Sequence, residues 1–208
     1  MSNIRIKLLD SANSIENKIG ASSTKELRQL FQKAKPKIES AIKNLVVASL
    51  LSCPEIKSLQ SGKLKFDFGL VTDPTSEIVY SIANTTHIII KNFKLSKNII
   101  TNALTIYIQP SDFKNLLSNP FANTLTERGD SLPWLKWLLV EGDAIIINNY
   151  SVEYGPYVNS RSGGAIMIPS IGVFKVDSAF SGTTENNFIT RALENKENEI
   201  LDIIRGAI

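Results

Sequence analysis

Residues 152–167 read VEYGPYVNSRSGGAIM, two short strand-like segments joined by a turn and a connection of small residues. Glycine before proline marks a tight turn, here Gly155-Pro156, and the pair Gly163-Gly164 marks a second break. We expect strands at Val152–Tyr154 and Ala165–Ile168. The stretch predicts two short strands in the C-terminal half of the chain, of which Val152–Tyr154 continues or pairs with the segment Ala144–Asn149.

Further strand signals lie on both sides of this stretch. Leu64–Phe68 alternates apolar and polar residues, as a half-buried strand does. Ile78–Phe93 and Asn98–Gln109 are β-rich and are broken by Lys94–Lys97, which predicts an antiparallel hairpin. Ala144–Asn149 and Val173–Val176 are also expected to be strands.

The N-terminal third has helical periodicity instead. Apolar residues from Ile4 to Ile19 predict an amphipathic helix that Gly20 ends. The run Ser23-Thr24-Lys25-Glu26 matches a capping box and predicts a second, longer helix with one apolar face, reaching Val46. Pro36 lies inside it and should kink it or split it in two. A helical turn at Pro54–Leu59 follows, closed by Gly62.

The remaining segments complete the expected fold. Ser111 should cap a short helix over Asp112–Leu117, residues 118–132 should form an exposed loop, and Leu132–Val140 should be helical. Thr183 or Thr184 should cap a last helix. We therefore predict one α+β domain over residues 1–208, in which a long or kinked N-terminal helix packs on a curved antiparallel sheet. Residues 1–62 are expected to be mainly helical, 63–183 mainly β and 184–208 a C-terminal helix.

Composition indicates a globular protein. Hydrophobic residues make up 43% of the chain, enough for a core. The longest apolar run is far shorter than the roughly 20 residues of a membrane span, and the N-terminus has no signal-peptide pattern, so no membrane contact is expected. The single cysteine, Cys53, is expected to be a buried thiol, which fits synthesis in a reducing cytoplasm.

The net charge of +3 conceals an asymmetry. Residues 1–104 hold 15 Lys and Arg against 8 Asp and Glu, a net charge of +7, and residues 105–208 hold 8 against 12, a net charge of −4. Such a charge difference can steer one surface toward an oppositely charged partner or toward nucleic acid. An ordinary solvated surface is the alternative interpretation.

The residues needed for catalysis are not grouped in this sequence. His87 and Cys53 are the chain's only histidine and cysteine and lie far apart, which argues against zinc and against a histidine-activated nucleophile. Glu141 and Asp143 lack the third acid and the lysine of a nuclease. The Gly163-Gly164 pair does not follow a strand and open a helix, as a nucleotide-binding loop would. We expect no enzymatic activity, cofactor or metal.

Several residues are candidates for contact with a partner. Arg161 lies among small residues in a turn and could pair with a carboxylate of a neighbouring subunit, with Tyr154, Ser162 and Gly163 beside it. Arg128 lies in the expected 118–132 loop. Trp134, three residues before a second tryptophan, is either a docking residue or part of the core.

Residues 152–193 carry a family resemblance. The end of a strand at Val152-Glu153-Tyr154-Gly155, the basic glycine-containing loop Ser160-Arg161-Ser162-Gly163 and the helix Asn187–Leu193, with Arg191-Ala192, resemble the neck and tail-completion proteins of tailed bacteriophages. Pro156 stands where a threonine is common in that family.

The resemblance implies a structural virion protein made in the cytoplasm of the bacterial host. Its expected place is a ring in the neck, with copies of itself, the portal-linked connector and tail-tube or terminator proteins as partners. Passing DNA is a further, non-specific partner. Two alternatives stay open: a tail terminator that caps the tail tube, and a nucleic-acid-binding or processing protein that uses the basic N-terminal half.

Overall fold

The structure is a computed structural model that describes residues 11–91, 94–96, 99–101, 104–107 and 110–208. It has the α+β class expected from the sequence. The helices, in chain order, are α1 (Ala12–Ser52), α2 (Pro54–Ser61), α3 (Lys63–Asp67), α4 (Thr75–Asn84), α5 (Pro110–Leu117), α6 (Trp134–Leu139), α7 (Phe188–Leu193) and α8 (Glu197–Ala207). The strands are β1 (His87–Ile90), β2 (Lys94–Ser96), β3 (Ile99–Thr101), β4 (Leu104–Tyr107), β5 (Thr124–Leu125), β6 (Ser131–Leu132), β7 (Ile147–Tyr154) and β8 (Ala165–Phe174). Across the described ranges, none of the helices combines the length and apolar character of a membrane span.

Helix α1 is continuous where the sequence predicts two helices. Ser11 caps it by accepting the Ser14 N–H at 3.2 Å, and the helix passes through Gly20 and Pro36 without ending. The expected capping box lies inside the helix, where the Thr24 hydroxyl donates to the Ala21 carbonyl at 2.9 Å. A glycine costs a helix interior only about 1 kcal/mol, which is too little to end the helix by itself. The part of the prediction that concerns residues 1–10 lies outside the described residues.

The core is built on one row of α1. Side chains spaced four residues apart, Ala34, Ile38, Ile42, Val46 and Leu50, are buried. This spacing places them on a single face of the helix, which packs against α4, α7 and α8. Lys37 Nζ donates to the Gly206 carbonyl at 2.7 Å and holds the end of α8 against α1.

Two predicted β-segments are helical in the structure. Most of Leu64–Phe68 lies in α3. Leu64, Asp67 and Phe68 are buried, and their i, i+3, i+4 spacing is that of one helix face. The Leu64 N–H donates to Ser58 Oγ at 3.0 Å. The first half of Ile78–Phe93 belongs to α4, whose start is held by the Thr75 N–H donating to Asp73 Oδ1 at 2.9 Å. Residues 63–84 are thus mainly helical rather than β, because core packing overrides local β-propensity.

The second half of that run does form the predicted hairpin. Strand β1 pairs antiparallel with β4, with His87 opposite Tyr107, and β2 pairs with β3, with Lys94 opposite Thr101. Lys94–Ser96, expected as part of the break between the strands, is itself a strand in the structure. Parts of the predicted segment Asn98–Gln109 lie outside the described residues.

The described strands form four two-stranded ladders rather than one curved sheet. The longest, which we call the ribbon, joins β7 and β8, with Tyr154 opposite Ala165 and Ile147 opposite Phe174. Its register shifts between Asn148 and Tyr150, where Asn149 has a φ of 63°. Residues 118–132 hold a 3₁₀ turn at Pro120–Ala122 and the small β5–β6 ladder.

The C-terminal segment is two helices, not one. Asn187, rather than Thr183 or Thr184, caps α7: its side chain accepts the N–H groups of Ile189 and Thr190 at 3.0 and 3.2 Å. In return, the Asn187 N–H donates to the Thr190 hydroxyl at 2.9 Å. This reciprocal pair is a capping box in which asparagine is the N-cap residue and threonine is the N3 residue.

Candidate contact site

A cleft of about 580 Å³ lies between the ribbon and the α3 region. Its walls come from four segments: α3 with its following turn, the β5–β6 loop, the faces of β7 and β8, and the connection between those two strands. Three of the contact residues predicted from sequence line it, namely Arg128, Arg161 and Ser162. Positions far apart in the chain are therefore brought to one surface.

Arg161 lies over the backbone of the turn that follows α3. Gly69 has a φ of +60°, and a β-carbon placed there would lie only 2.6 Å from a terminal guanidinium nitrogen of Arg161. A side chain at this position would therefore displace the arginine. Arg161 remains exposed and forms no ion pair with any described residue. Its charge is available to a partner within the cleft.

Gly164 allows the ribbon to approach α3. A β-carbon on Gly164 would lie 2.3 Å from the ring of Phe66, which is closer than any real contact. The connection beside it is held by Ser160, whose hydroxyl donates to the Ala165 carbonyl at 2.6 Å. The Gly155 N–H donates to the Gly164 carbonyl at 3.0 Å, which closes the base of the 155–164 loop.

A hydrogen bond between Tyr154 and Asp67 joins the ribbon to α3. The Tyr154 hydroxyl donates to Asp67 Oδ1, and Asp67 is only 6% exposed. Burial raises the pKa of Asp67 above its ordinary value, while the tyrosine hydrogen bond and the Lys63 charge act in the opposite direction. Burial and the nearby carboxylate raise the pKa of Tyr154 as well, so the phenol remains protonated.

An ion pair lies next to this hydrogen bond. Lys63 Nζ is 2.9 Å from Asp177 Oδ2, and the lysine lowers the pKa of Asp177. Both side chains are about 40% exposed, so the pair adds little stability by itself. It joins the N-terminus of α3 to the segment that follows β8.

The predicted site residues have different positions. Arg128, Arg161 and Ser162 share the cleft, and Tyr154 binds Asp67 at its edge. Gly163 is at the exposed end of the loop, where its φ is +78° and a β-carbon would meet no atom within 4 Å. This conformation requires glycine or a strained substitute.

Trp134 belongs to the core. Its side chain is fully buried, its ring lies 6.0 Å from that of Phe68, and its Nε1–H donates to the Phe121 carbonyl at 3.1 Å. A partner could not reach it without opening the core. The docking role considered for Trp134 is therefore wrong, and the core interpretation is correct.

Sequence reasoning missed the residues on the α3 side. The sequence prediction places Phe66 and Asp67 in the strand Leu64–Phe68 without a role, and it does not single out Gly69. One signal is available in the sequence: an acid stands between two phenylalanines in Phe66-Asp67-Phe68, and a glycine follows. A carboxylate flanked by two phenylalanines needs a hydrogen-bond partner when it is buried, and Tyr154 supplies it.

A second buried link was also missed. Glu55 is 4% exposed, and its Oε1 accepts from Arg191 Nε at 3.1 Å and from another guanidinium nitrogen at 2.7 Å. Arg191 also donates to the Ser181 carbonyl and to Asn186 Oδ1. The arginine of the C-terminal block thus connects α7, α2 and the loop before α7.

The described residues include no group of three or more His, Cys, Asp or Glu side chains arranged to hold a metal ion. No protein-family model, curated protein or solved structure matches the chain. The cleft can therefore be interpreted only from its own residues. It presents unpaired arginines beside the exposed carboxylates of Glu127 and Asp130. Such a mixed, open surface suits contact with a charged protein surface.

Proposed function

We propose that this protein is a structural subunit of the neck of a tailed bacteriophage, where it forms part of a ring that joins the head connector to the tail. The resemblance of residues 152–193 to neck and tail-completion proteins motivates the proposal. The ribbon formed by that block is the observation that carries it. Among the described residues, the ribbon leaves strand edges unpaired and apolar side chains exposed, which supports the proposal that another chain covers it.

The ribbon presents unpaired backbone and apolar side chains to solvent. Within the described part of the chain, the outer edges of β7 and β8 pair with no other strand. Met167, Ile171 and Val173 of β8 are exposed, Ile171 completely. A free sheet edge with apolar residues is an aggregation hazard unless another chain covers it. Neighbouring subunits in a ring would cover it, since heterologous contacts close by rotation.

The charge asymmetry also fits such a ring. One subunit's basic N-terminal half and the next subunit's acidic C-terminal half could form dissimilar faces of a head-to-tail contact. Arg161 and Arg128 belong to the C-terminal half, line the cleft and form no ion pair with any described residue, and we assign them separately to a contact with carboxylates of the next subunit. The tail terminator remains the second candidate because it is also a ring.

Locating the protein in the particle tests the proposal. Mass spectrometry of purified virions of the encoding phage should detect this chain, and a reconstruction should place it between connector and tail. A position at the head-proximal end of the tail tube would support the terminator instead. Virions that lack the chain would contradict both.

Arg161 provides a residue-level test. Arg161→Ala should reduce the yield of complete particles while the isolated subunit unfolds at nearly the parent temperature. Arg205→Ala is the matched control, because Arg205 is also an exposed arginine and has only an i,i+3 pair with Asp202. Equal particle yields for the two variants would remove Arg161 from the contact.

A further inference from the structure

Helix α1 carries a polar stripe opposite its buried face. Eight positions spaced three or four residues apart fall on one line along the helix, and all eight are exposed. They are Lys18, Ser22, Lys25, Gln29, Lys33, Lys37, Ser40 and Asn44. We call this row the lysine stripe. The row contains four lysines and four neutral polar residues, and the exposed Glu26, four residues after Ser22 and three before Gln29, lies in the same sector of the helix.

The stripe is long and its surroundings are basic. From residue 18 to residue 44 an α-helix rises about 39 Å. Helix α1 as a whole holds seven Lys and Arg against three Glu, a net charge of +4. Lys25 and Lys33 form no ion pair with any described residue, and Lys37 keeps its charge while donating to the Gly206 carbonyl. The potential along this face is therefore positive.

We propose that the lysine stripe binds the phosphate backbone of double-stranded DNA without reading its sequence. B-DNA makes one turn in about 34 Å, so a straight stripe of about 39 Å laid along the duplex crosses each phosphate strand about once and can contact the phosphates at those crossings. Lysines neutralise those charges, and Ser, Gln and Asn side chains donate to phosphate oxygens. The residue types between the lysines thus suit the same ligand.

A protein partner fits this face less well. The centres of protein interfaces are enriched in apolar and aromatic residues and depleted in lysine. The lysine stripe has no apolar member, whereas the ribbon and the cleft do. The two kinds of surface are therefore assigned to different partners: the ribbon and cleft to protein, and the stripe to DNA.

The inference rests on the proposed function for one premise, which is that the subunit lies close to DNA. A ring in the neck surrounds the path of the genome, and a sequence-independent phosphate contact would line that path. The contact itself is a property of the isolated chain. It can therefore be tested in solution without assembling a particle.

The experiment measures binding of the full-length protein to a labelled DNA duplex of arbitrary sequence by fluorescence anisotropy at a series of salt concentrations. The logarithm of the association constant should fall linearly with the logarithm of salt concentration, with a slope at least as steep as about −1.8 from Lys25 and Lys33. The double variant Lys25→Gln/Lys33→Gln should make that slope shallower by about 1.8. Circular dichroism confirms that α1 remains helical in the variant.

The control removes the same charge elsewhere. Lys57→Gln/Lys114→Gln changes two exposed lysines on α2 and α5 and should leave the slope nearly unchanged. The proposal is overturned if the parent does not bind DNA at low salt, or if the two double variants reduce the slope equally. It is also overturned if the stripe variant weakens self-association, measured by light scattering, and leaves DNA binding intact.

The outcomes separate this inference from the proposed function. A particle reconstruction that shows the subunit in the neck with α1 directed away from the DNA would reject the inference and keep the function. Virions without the chain, together with salt-dependent binding through the stripe, would reject the function and keep the inference.

Discussion

Removing the Tyr154 hydroxyl tests whether the ribbon is fixed to α3 through a buried carboxylate. In Tyr154→Phe, Asp67 loses its hydrogen-bond donor while it remains buried. A hydrogen bond to a charged group contributes about 1.5–3 kcal/mol. Because Tyr154 is 47% exposed, water can partly replace its hydroxyl, and we expect a loss of about 1–2 kcal/mol at pH 7.

The loss should depend on pH in a defined direction. Burial raises the folded-state pKa of Asp67 above its unfolded value. Asp67 therefore contributes stability that is fully present below the unfolded pKa and is lost as pH rises through the folded pKa. The tyrosine bond lowers that pKa, so Tyr154→Phe raises it further and moves the loss to higher pH. A larger fraction of Asp67 is protonated near pH 4 than at pH 7, and a protonated acid depends less on the bond, so the destabilisation should fall to about 0.5–1 kcal/mol.

Urea denaturation of parent and variant at both pH values measures this difference, and comparison at equal pH cancels the titration of other groups. Asp67→Asn supplies the control, since position 67 no longer titrates in that background. There, Tyr154→Phe should cost the same at both pH values. A cost that is independent of pH in the Asp67 protein would refute the assignment of a charged partner to Tyr154.

Three other perturbations have defined expectations. Arg191→Met leaves the buried Glu55 carboxylate without its cation and should lower the unfolding free energy by about 3–5 kcal/mol in urea denaturation, and a loss under about 1 kcal/mol would contradict the pairing. Gly164→Ala forces a β-carbon onto the Phe66 ring and should cost about 1–3 kcal/mol, seen as a lower melting temperature, whereas an unchanged value would show that the ring moves freely. Cys53 is buried, and burial raises its pKa to about 11, so a thiol reagent at pH 7 should label it slowly in the folded protein and quickly in denaturant; fast labelling of the folded protein would contradict its burial.

Local signals sufficed where the chain itself fixes its conformation. Helix α6 follows Pro133 and ends before Gly142, and strand β7 ends before Gly155-Pro156. These glycine and proline signals are visible in the sequence. Such residues restrict the backbone whatever they contact. The α+β class followed from the same signals.

Packing decided the segments that the sequence misassigned. The Ile78–Ile82 part of α4 is rich in β-branched residues, which favours a strand. In the structure, this helix packs against α1 and buries Ile78, Val79, Ile82 and Ala83. The spacing of these residues is that of one helix face. A strand would place neighbouring residues on opposite faces and expose half of this set. The identity of the packing partner was not available from the sequence.

The residues of the cleft, but not their common location, could be predicted in part from the sequence. Arg128 and Arg161 were chosen because arginines in loops of small residues are available for contact. Their sharing of one cleft depends on the approach of the ribbon to α3, which Gly164 permits because it has no side chain to meet the Phe66 ring. Close approach between distant segments leaves no periodic signal in a sequence.

The arrangement of the ribbon's attachments bears on how it would meet a partner. At one end, Ala165 is buried and Tyr154 bonds Asp67; at the other, Phe174 is buried and Val176, two residues beyond it, is part of the hydrophobic core. The exposed apolar residues from Met167 to Val173 lie between these two anchors. A ribbon held at both ends loses less conformational freedom when a neighbour binds its middle, because it is already in one position. The tyrosine–aspartate bond would then serve assembly as well as folding: if the ribbon is the inter-subunit surface, loosening one anchor should weaken association more than the stability loss alone explains.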